Sequence, residues 1–222
     1  MSRPIAVLRP EPGNRVTAAA IEARGHRAIR LPLFETRPTA WDVPNPARFD
    51  ALLLTSAHAV RHAGAGLARL HALPVLAVGE VTAEAARRAG FAIAAIGDAG
   101  AEALVAKAEA MDVRRALHLA GRERTLNVGG IVADLITVYA SDALPVSADA
   151  AVALAGSIAL VQSSRAGARL AEIVAPVDRA TIALVATSAS AARAAEKGWE
   201  RIVVPSECHG IALIDAAIAL AD

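Results

Sequence analysis

The residues able to do chemistry in this chain recur at one kind of position. A small hydroxyl or a basic side chain stands where an apolar run ends and an alanine-rich, helix-forming run begins. Thr55 and Ser56 close the run in DALLLTSAHAV, Ser163 and Ser164 that in SIALVQSSRAGA, and Thr187 to Ser190 that in IALVATSAS. Arg9 follows Ile5 to Leu8, Gly79 to Thr82 follow VLAV, and Gly121 and Arg122 follow LHLA. Hydroxyls and backbone amides at helix starts donate hydrogen bonds to anions and gain from the helix dipole. The chemistry on offer is anion recognition, with Arg9 and Arg122 as candidate carboxylate partners. Each hydroxyl also has a plainer reading, because a serine or threonine before a helix is most often an N-cap worth about 1 kcal/mol. An isolated surface arginine is by default a solvated charge. Tyr139, the sole tyrosine, lies in the apolar run ITVYA, where it either packs or presents its phenol.

Stronger chemical signatures are missing. No Ser-His-Asp order, paired-carboxylate motif or GxGxxG stands out, and GEVT at Gly79 to Thr82 lacks the lysine and glycines of a phosphate loop. His58 and His62 stand at i, i+4 on an expected helix, but no carboxylate lies near in sequence to complete a ligand set, so no metal is expected. The single Cys208 excludes an intramolecular disulfide. An enzyme built this way works by shaping its substrate rather than by a strong nucleophile.

The elements that must position these residues are legible from the apolar pattern. Short continuous apolar runs alternate with helix-forming runs, which predicts α/β architecture with parallel sheets covered on both faces. Strands are expected at Ile5–Leu8, His26–Pro32, Ala51–Thr55, Val75–Val78, Ala92–Ile96, Ala116–Leu119, Ile136–Ala140, Ile158–Val161, Thr181–Val185 and Arg201–Val204. Helices are expected at Asn14–Arg24, Ala57–Leu70, Thr82–Ala89, Ala101–Ala110, Ala148–Leu154, Arg165–Val174, Ser190–Lys197 and Ile211–Leu220. In such sheets ligands bind outside the carboxyl ends of the strands, where the hydroxyls and arginines fall.

The order is written twice. Ser56 and Ser163 are 107 residues apart, and VLAVGEVTAEAARRAGF is echoed by IALVATSASAARAAEKGW at nearly the same offset, which argues for duplication. The proline-rich LFETRPTAWDVPNPARF, without helical or strand periodicity, reads as one linker, and SDALPVS as a second. The tail supplies only part of a doubly wound sheet, and the first strand and helix complete it. The expected topology therefore has one domain from both termini, 1–35 and 143–222, and a second, 36–142, inserted between the linkers. The two rims are expected to face across a cleft, with the domains hinging at the thin linkers.

Composition limits the partners. Of 222 residues 55% are hydrophobic but only 3% aromatic, and the net charge of +1 comes from interspersed signs. Few rings are available to stack bases and no basic stripe is present, so nucleic acid is not expected. The longest stretch without Asp, Glu, Lys or Arg is 15 residues, Ala150 to Ser164, too short for a membrane span. The amino-terminal apolar run is too short for a secretion signal. A soluble, cytoplasmic monomer is the expectation.

These residues carry a resemblance. LRPEPGN with its helix ending in glycine, FDALLLTSAHAV, AVGEVTAEAARRAGF, LHLAGR, VYASDAL and ALVATSASAARAAEKGW resemble, in order and over essentially the whole chain, the uroporphyrinogen-III synthase family. The resemblance implies two similar doubly wound parallel-sheet domains joined by a two-stranded antiparallel linker. It implies a cofactor-free, metal-free reaction in which hydroxymethylbilane, a polyanionic linear tetrapyrrole, loses water and closes to uroporphyrinogen III with its last ring inverted. It places the family's tyrosine on Tyr139, to assist departure of the hydroxyl. It places substrate-binding hydroxyls on Ser56, Thr82, Ser163 and Ser188, with Thr187 and Ser190 as close alternatives, and carboxylate partners on Arg9 and Arg122. The chain departs from the pattern twice. RTLNVGGIVADL is short with paired glycines where a longer helix is usual, and ATSAS stands where a GxxT-like loop is common. The competing readings are a non-catalytic two-domain module that closes on an anionic small molecule, and a sugar or nucleotide transferase, the latter weakened by the absence of a phosphate loop and of an Asp-x-Asp motif.

Overall fold

The computed structural model describes residues 2–97, 100–207 and 210–222; Cys208 lies outside them. The chain divides into two compact units, one of Met1–Glu35 with Ala143–Asp222, the other of Thr36–Asp142. It begins with β1 (Ile5–Val7), α1 (Gly13–Glu22) and β2 (Ala28–Arg30). It continues through β3 (Phe34–Pro38), β4 (Ala51–Leu54), α2 (Ala57–His62), β5 (Val75–Val78), α3 (Glu80–Arg88), β6 (Ile93–Gly97), α4 (Ala101–Ala110), β7 (Ala116–Gly121) and β8 (Val132–Ala143). The rest is α5 (Ala148–Val152), β9 (Ile158–Val161), α6 (Ser164–Ile173), α7 (Pro176–Arg179), β10 (Ala183–Ala186), α8 (Ala189–Ala194), β11 (Arg201–Val203) and α9 (Gly210–Ala221).

The unit that holds both termini has a five-stranded sheet in the order β11-β10-β9-β1-β2, with every pair parallel. Successive strand residues point to opposite faces, so a strand buried on both sides must be apolar at every position. Ile5 and Val7 pack with Ile21 of α1 and Leu213 and Ala217 of α9 on one face. Ala6 and Leu8 pack with Leu170 and Ala171 of α6 and Ala191 of α8 on the other. Alanine and glycine let α6 and α8 approach closely. A Cβ on Gly167 would lie 2.6 Å from the Ala191 carbonyl oxygen and 2.9 Å from the Ala195 nitrogen.

The inserted unit has six strands in the order β3-β8-β7-β4-β5-β6, with β8 to β6 running parallel. Leu52 and Leu54 face Ala59, Ala83 and Ala86 of α2 and α3, while Ala51 and Leu53 face Leu104 and Ala108 of α4. No helix forms between β7 and β8. The connection 122–131 instead lays Leu126 and Ile131 on the α4 face, which fits the short, paired-glycine segment.

The structure departs from the sequence pattern in places. Phe34–Pro38, read as linker without strand periodicity, is an edge strand. Only Phe34 of it is buried, so no alternation marks it, and Pro38 is tolerated at a sheet edge. The Leu144 amide donates to the Leu33 carbonyl (2.9 Å) and the Thr39 amide to the Val138 carbonyl (3.0 Å), a reversed order that makes β3 and β8 antiparallel. β8 is correspondingly long, 12 residues, and takes up Ser141 to Ala143 of the second expected linker. The expected helix Ala57–Leu70 is cut at His62. Gly64 adopts a positive φ of 66°, and Gly64–Leu70 continues as a tighter 3-10 turn. α7 lies between the expected helix Arg165–Val174 and the expected strand Thr181–Val185, with Pro176 at its first turn.

Candidate active site

The inserted unit gathers chemistry at the carboxyl ends of β4, β7 and β8. The chain leaves β4 through α2 toward β5 on one side, while β7 leads to β8 on the other, so β4 and β7 flank the point where strand order reverses. Ser56 stands at the N-cap of α2, in extended backbone, and its hydroxyl accepts from the His58 amide at 3.2 Å. Tyr139 pairs in register with Gly121. A Cβ on Gly121 would meet the Tyr139 ring at Cζ (2.6 Å) and Oη (2.9 Å), so the missing side chain makes room for the phenol at the strand end. Thr55, Ser56, Gly121, Glu123, Arg124 and Tyr139 line one cavity of about 330 Å³.

Three histidines and Arg124 are gathered around Tyr139 and Thr55 of that lining. His58 and His62, on successive turns of α2, stack with ring centroids 5.8 Å apart and lie 5.7 and 6.0 Å from the Tyr139 ring. His62 Nε2 is 3.0 Å from the Thr36 hydroxyl, and burial, aided by the Arg61 charge, holds its pKa below the ordinary value. Arg124 folds back across the strand ends, where its Nη1 donates to the carbonyls of Gly121 and Arg122 (3.0 Å each) and to the Thr137 hydroxyl (3.1 Å). His118, wholly buried on β7, has Nε2 3.2 Å from the Thr55 hydroxyl. Burial, and then the Arg124 charge, lowers its pKa from 6.5 to about 4, so the imidazole is neutral.

Two expected residues are placed differently. Thr82 is not at a rim: α3 begins two residues earlier, at Glu80, which puts Thr82 inside the helix with its side chain buried. Arg122 already holds a carboxylate, that of Asp142 at 3.1 Å, with both side chains more than half exposed. Arg124, two residues on, is the arginine at the cavity. Arg124 has no motif around it, and His118 lies inside LHLAGR, where nothing but its burial sets it apart. The available signals were a basic residue in a loop that must return across strand ends, and a lone histidine inside an otherwise apolar strand.

The other unit carries its own row of donors at the ends of β1, β9 and β10, which are neighbours in the sheet. Ser163 caps α6 and Ser188 caps α8, accepting from the amides of Ala166 and Ala191 at 3.1 Å each. Ser190 Oγ lies 2.9 Å from Ser188 Oγ, and the Thr187 amide donates to the Val161 carbonyl at 3.0 Å. Arg9 lies against Gly13, where a Cβ would come 2.4 Å from its Nε, so Gly13 seats the guanidinium at the start of α1. The turn beneath is fixed by buried Asn14, which donates to the carbonyls of Val7 (2.7 Å) and Arg9 (3.2 Å) and accepts from Arg30 (3.0 Å). Gln162, 107 positions after Thr55, has a buried Oε1 with no hydrogen-bond partner among the described residues.

Among the described residues no group of three or more His, Cys, Asp or Glu could hold a metal ion, and no helix is long and apolar enough to cross a membrane. Two α/β units with parallel sheets, hydroxyls and arginines at the strand ends, and in one unit a phenol over a glycine, define the class as a two-unit protein of doubly wound α/β type. Family comparison narrows the class: the model of "Uroporphyrinogen-III synthase HemD" matches residues 15–215, and the chain belongs to that family. The family's activity is a lyase reaction that cyclises hydroxymethylbilane. The fold is similar to that of uroporphyrinogen-III synthetase from Helicobacter pylori 26695, at 17% identity and a TM-score of 0.67 over 99% of this chain and 100% of that one. It is also similar to a mutant uroporphyrinogen III synthase from the extremely thermophilic bacterium Thermus thermophilus, at 17% identity and a TM-score of 0.57 over 99% of both chains. No curated protein sequence matches the chain.

Proposed function

We propose that the inserted unit's cavity receives the reacting end of hydroxymethylbilane and that Tyr139 assists loss of its hydroxyl. The pyrrole nitrogen pushes an electron pair toward the terminal carbon, the C–O bond breaks, and the phenol hydrogen-bonds or protonates the departing oxygen so that it leaves as water. The resulting azafulvenium is attacked by the substituted carbon of ring D. The spiro intermediate fragments and recloses with that ring inverted, and loss of a proton restores the aromatic pyrrole. Uncatalysed closure joins the wrong carbon, so the larger task is positional, holding ring D with the disfavoured carbon nearest.

The observation that carries this reading is the seating of Tyr139 on Gly121 at the rim of a cavity that also holds Ser56, Thr55 and Arg124. Hydroxyls and a guanidinium meet the carboxylates that a tetrapyrrole bears on every ring. At about 330 Å³ the cavity is at the small end of ligand sites, suited to one substituted ring rather than four. In the other unit Arg9, Ser163, Thr187, Ser188 and Ser190 supply the same donor chemistry for further carboxylates. The working species is taken to be a cytoplasmic monomer acting without cofactor or metal.

Substituting Tyr139→Phe tests the chemical role. It should lower kcat by about 100-fold, the lower end of what a positioned acid contributes, while KM stays close to wild type. A wild-type kcat would remove the phenol from the chemistry.

A further inference from the structure

His118 has no place in the reaction as drawn, and its environment is costly. It sits on β7 between Leu117 and Leu119, in register with Leu53 of β4 and Leu135 of β8, with no exposed surface. An imidazole there must justify two polar nitrogens in an apolar layer. Nε2 reaches the Thr55 hydroxyl at 3.2 Å, whereas Nδ1 has no hydrogen-bond partner among the described residues. That asymmetry fixes the tautomer. A buried N–H without an acceptor is rarer and costlier than a buried lone pair without a donor, so the proton belongs on Nε2. Nε2–H then donates to Thr55 Oγ1. The Thr55 hydroxyl, its acceptor side occupied by the imidazole, keeps its own proton to donate elsewhere. Thr55 is half-buried and lines the cavity beside Ser56, Arg124 and Tyr139.

We propose that His118 is a positioning residue that holds the Thr55 hydroxyl as a hydrogen-bond donor to a carboxylate of the tetrapyrrole. This rests on the cavity's role proposed above. Arg124 is the charged group whose field reaches the imidazole, and its cation opposes protonation there. A neutral His118 of the Nε2–H form is therefore what the cavity wall holds at working pH. Beside Ser56, whose oxygen accepts from the His58 amide and whose proton stays free to donate, the cavity offers a carboxylate an oriented hydroxyl in Thr55 and a guanidinium in Arg124.

Two measurements test this, one of them independent of turnover. Long-range ¹H–¹⁵N correlation spectra of the intact protein should show His118 as the Nε2–H tautomer, and the Nδ1–H tautomer would overturn the proposal outright. In steady-state assays with hydroxymethylbilane, Thr55→Val should raise KM about 10-fold, the size of one hydrogen bond to a charged group, with kcat within about 3-fold of wild type. His118→Leu should reproduce that effect, the double variant should add nothing to it, and His118→Gln, whose amide can donate to Thr55, should restore KM to within about 3-fold. A merely structural histidine would instead lower the melting temperature and leave KM alone, and that result, or additive losses in the double variant, would refute the coupling. Should the chain make no uroporphyrinogen III at all, the proposed function fails, while the tautomer result still stands or falls by itself.

Discussion

At the residue scale, the side chains that matter are set by what their neighbours leave unsatisfied. Ser56, Ser163 and Ser188 each cap a helix, and each was legible in the sequence because a small hydroxyl between an apolar run and an alanine-rich run has few other uses. His118 and Arg124 were not legible, because their roles depend on who lies across the sheet. The buried histidine also makes a thermodynamic statement. Its folded-state pKa of about 4 lies below the ordinary 6.5, so it favours folding fully above pH 6.5 and loses that contribution as pH falls toward 4. The loss is on the order of 3 kcal/mol, and His62, shifted the same way, adds to it. Urea unfolding between pH 7.5 and 4.5 should show stability falling less steeply in His118→Gln than in wild type. Parallel curves would mean that the burial of His118 carries no such linkage.

Elements were read from apolar continuity, and that signal has a physical limit. Parallel strands buried on both faces announce themselves, which is why β1, β4, β5, β9 and β10 stood out within a residue or two of their ends. β3 did not, because an edge strand with one buried side chain has no pattern to show. Register was equally hidden. Gly121 and Tyr139 are joined by a loop with no periodicity, and only the pairing of β7 with β8 shows that the glycine exists to seat the ring. Two glycine-to-alanine changes separate the consequences. Gly167→Ala forces a Cβ into the backbone of α8 and should cost about 1–3 kcal/mol of stability in urea titration, because neither helix can retreat without opening the core. Gly121→Ala meets the tip of one side chain instead, so the ring is displaced, and kcat should fall about as far as in Tyr139→Phe with a smaller stability loss. Reversal of that order, with Gly121→Ala the less stable and fully active, would contradict the assignment of the two contacts.

For the whole molecule, the strand-then-helix order that the sequence writes twice recurs in both units. Each unit keeps a doubly wound sheet whose carboxyl edge bears capping hydroxyls, and Thr55–Ser56 and Gln162–Ser163 occupy the same place in the two copies. The units differ at one connection: α1 joins β1 to β2 in one, whereas in the other the loop that carries Arg124 joins β7 to β8, the long strand that bears Tyr139. Two donor-rich units and one weak acid suit a reaction whose substrate is already reactive and whose difficulty is which carbon it joins. The direct measurement is to incubate the purified chain with freshly prepared hydroxymethylbilane and resolve the uroporphyrinogen isomers after oxidation to porphyrins. The product should be isomer III in excess of the uncatalysed background, and formation of isomer I alone, at the spontaneous rate, would contradict the account.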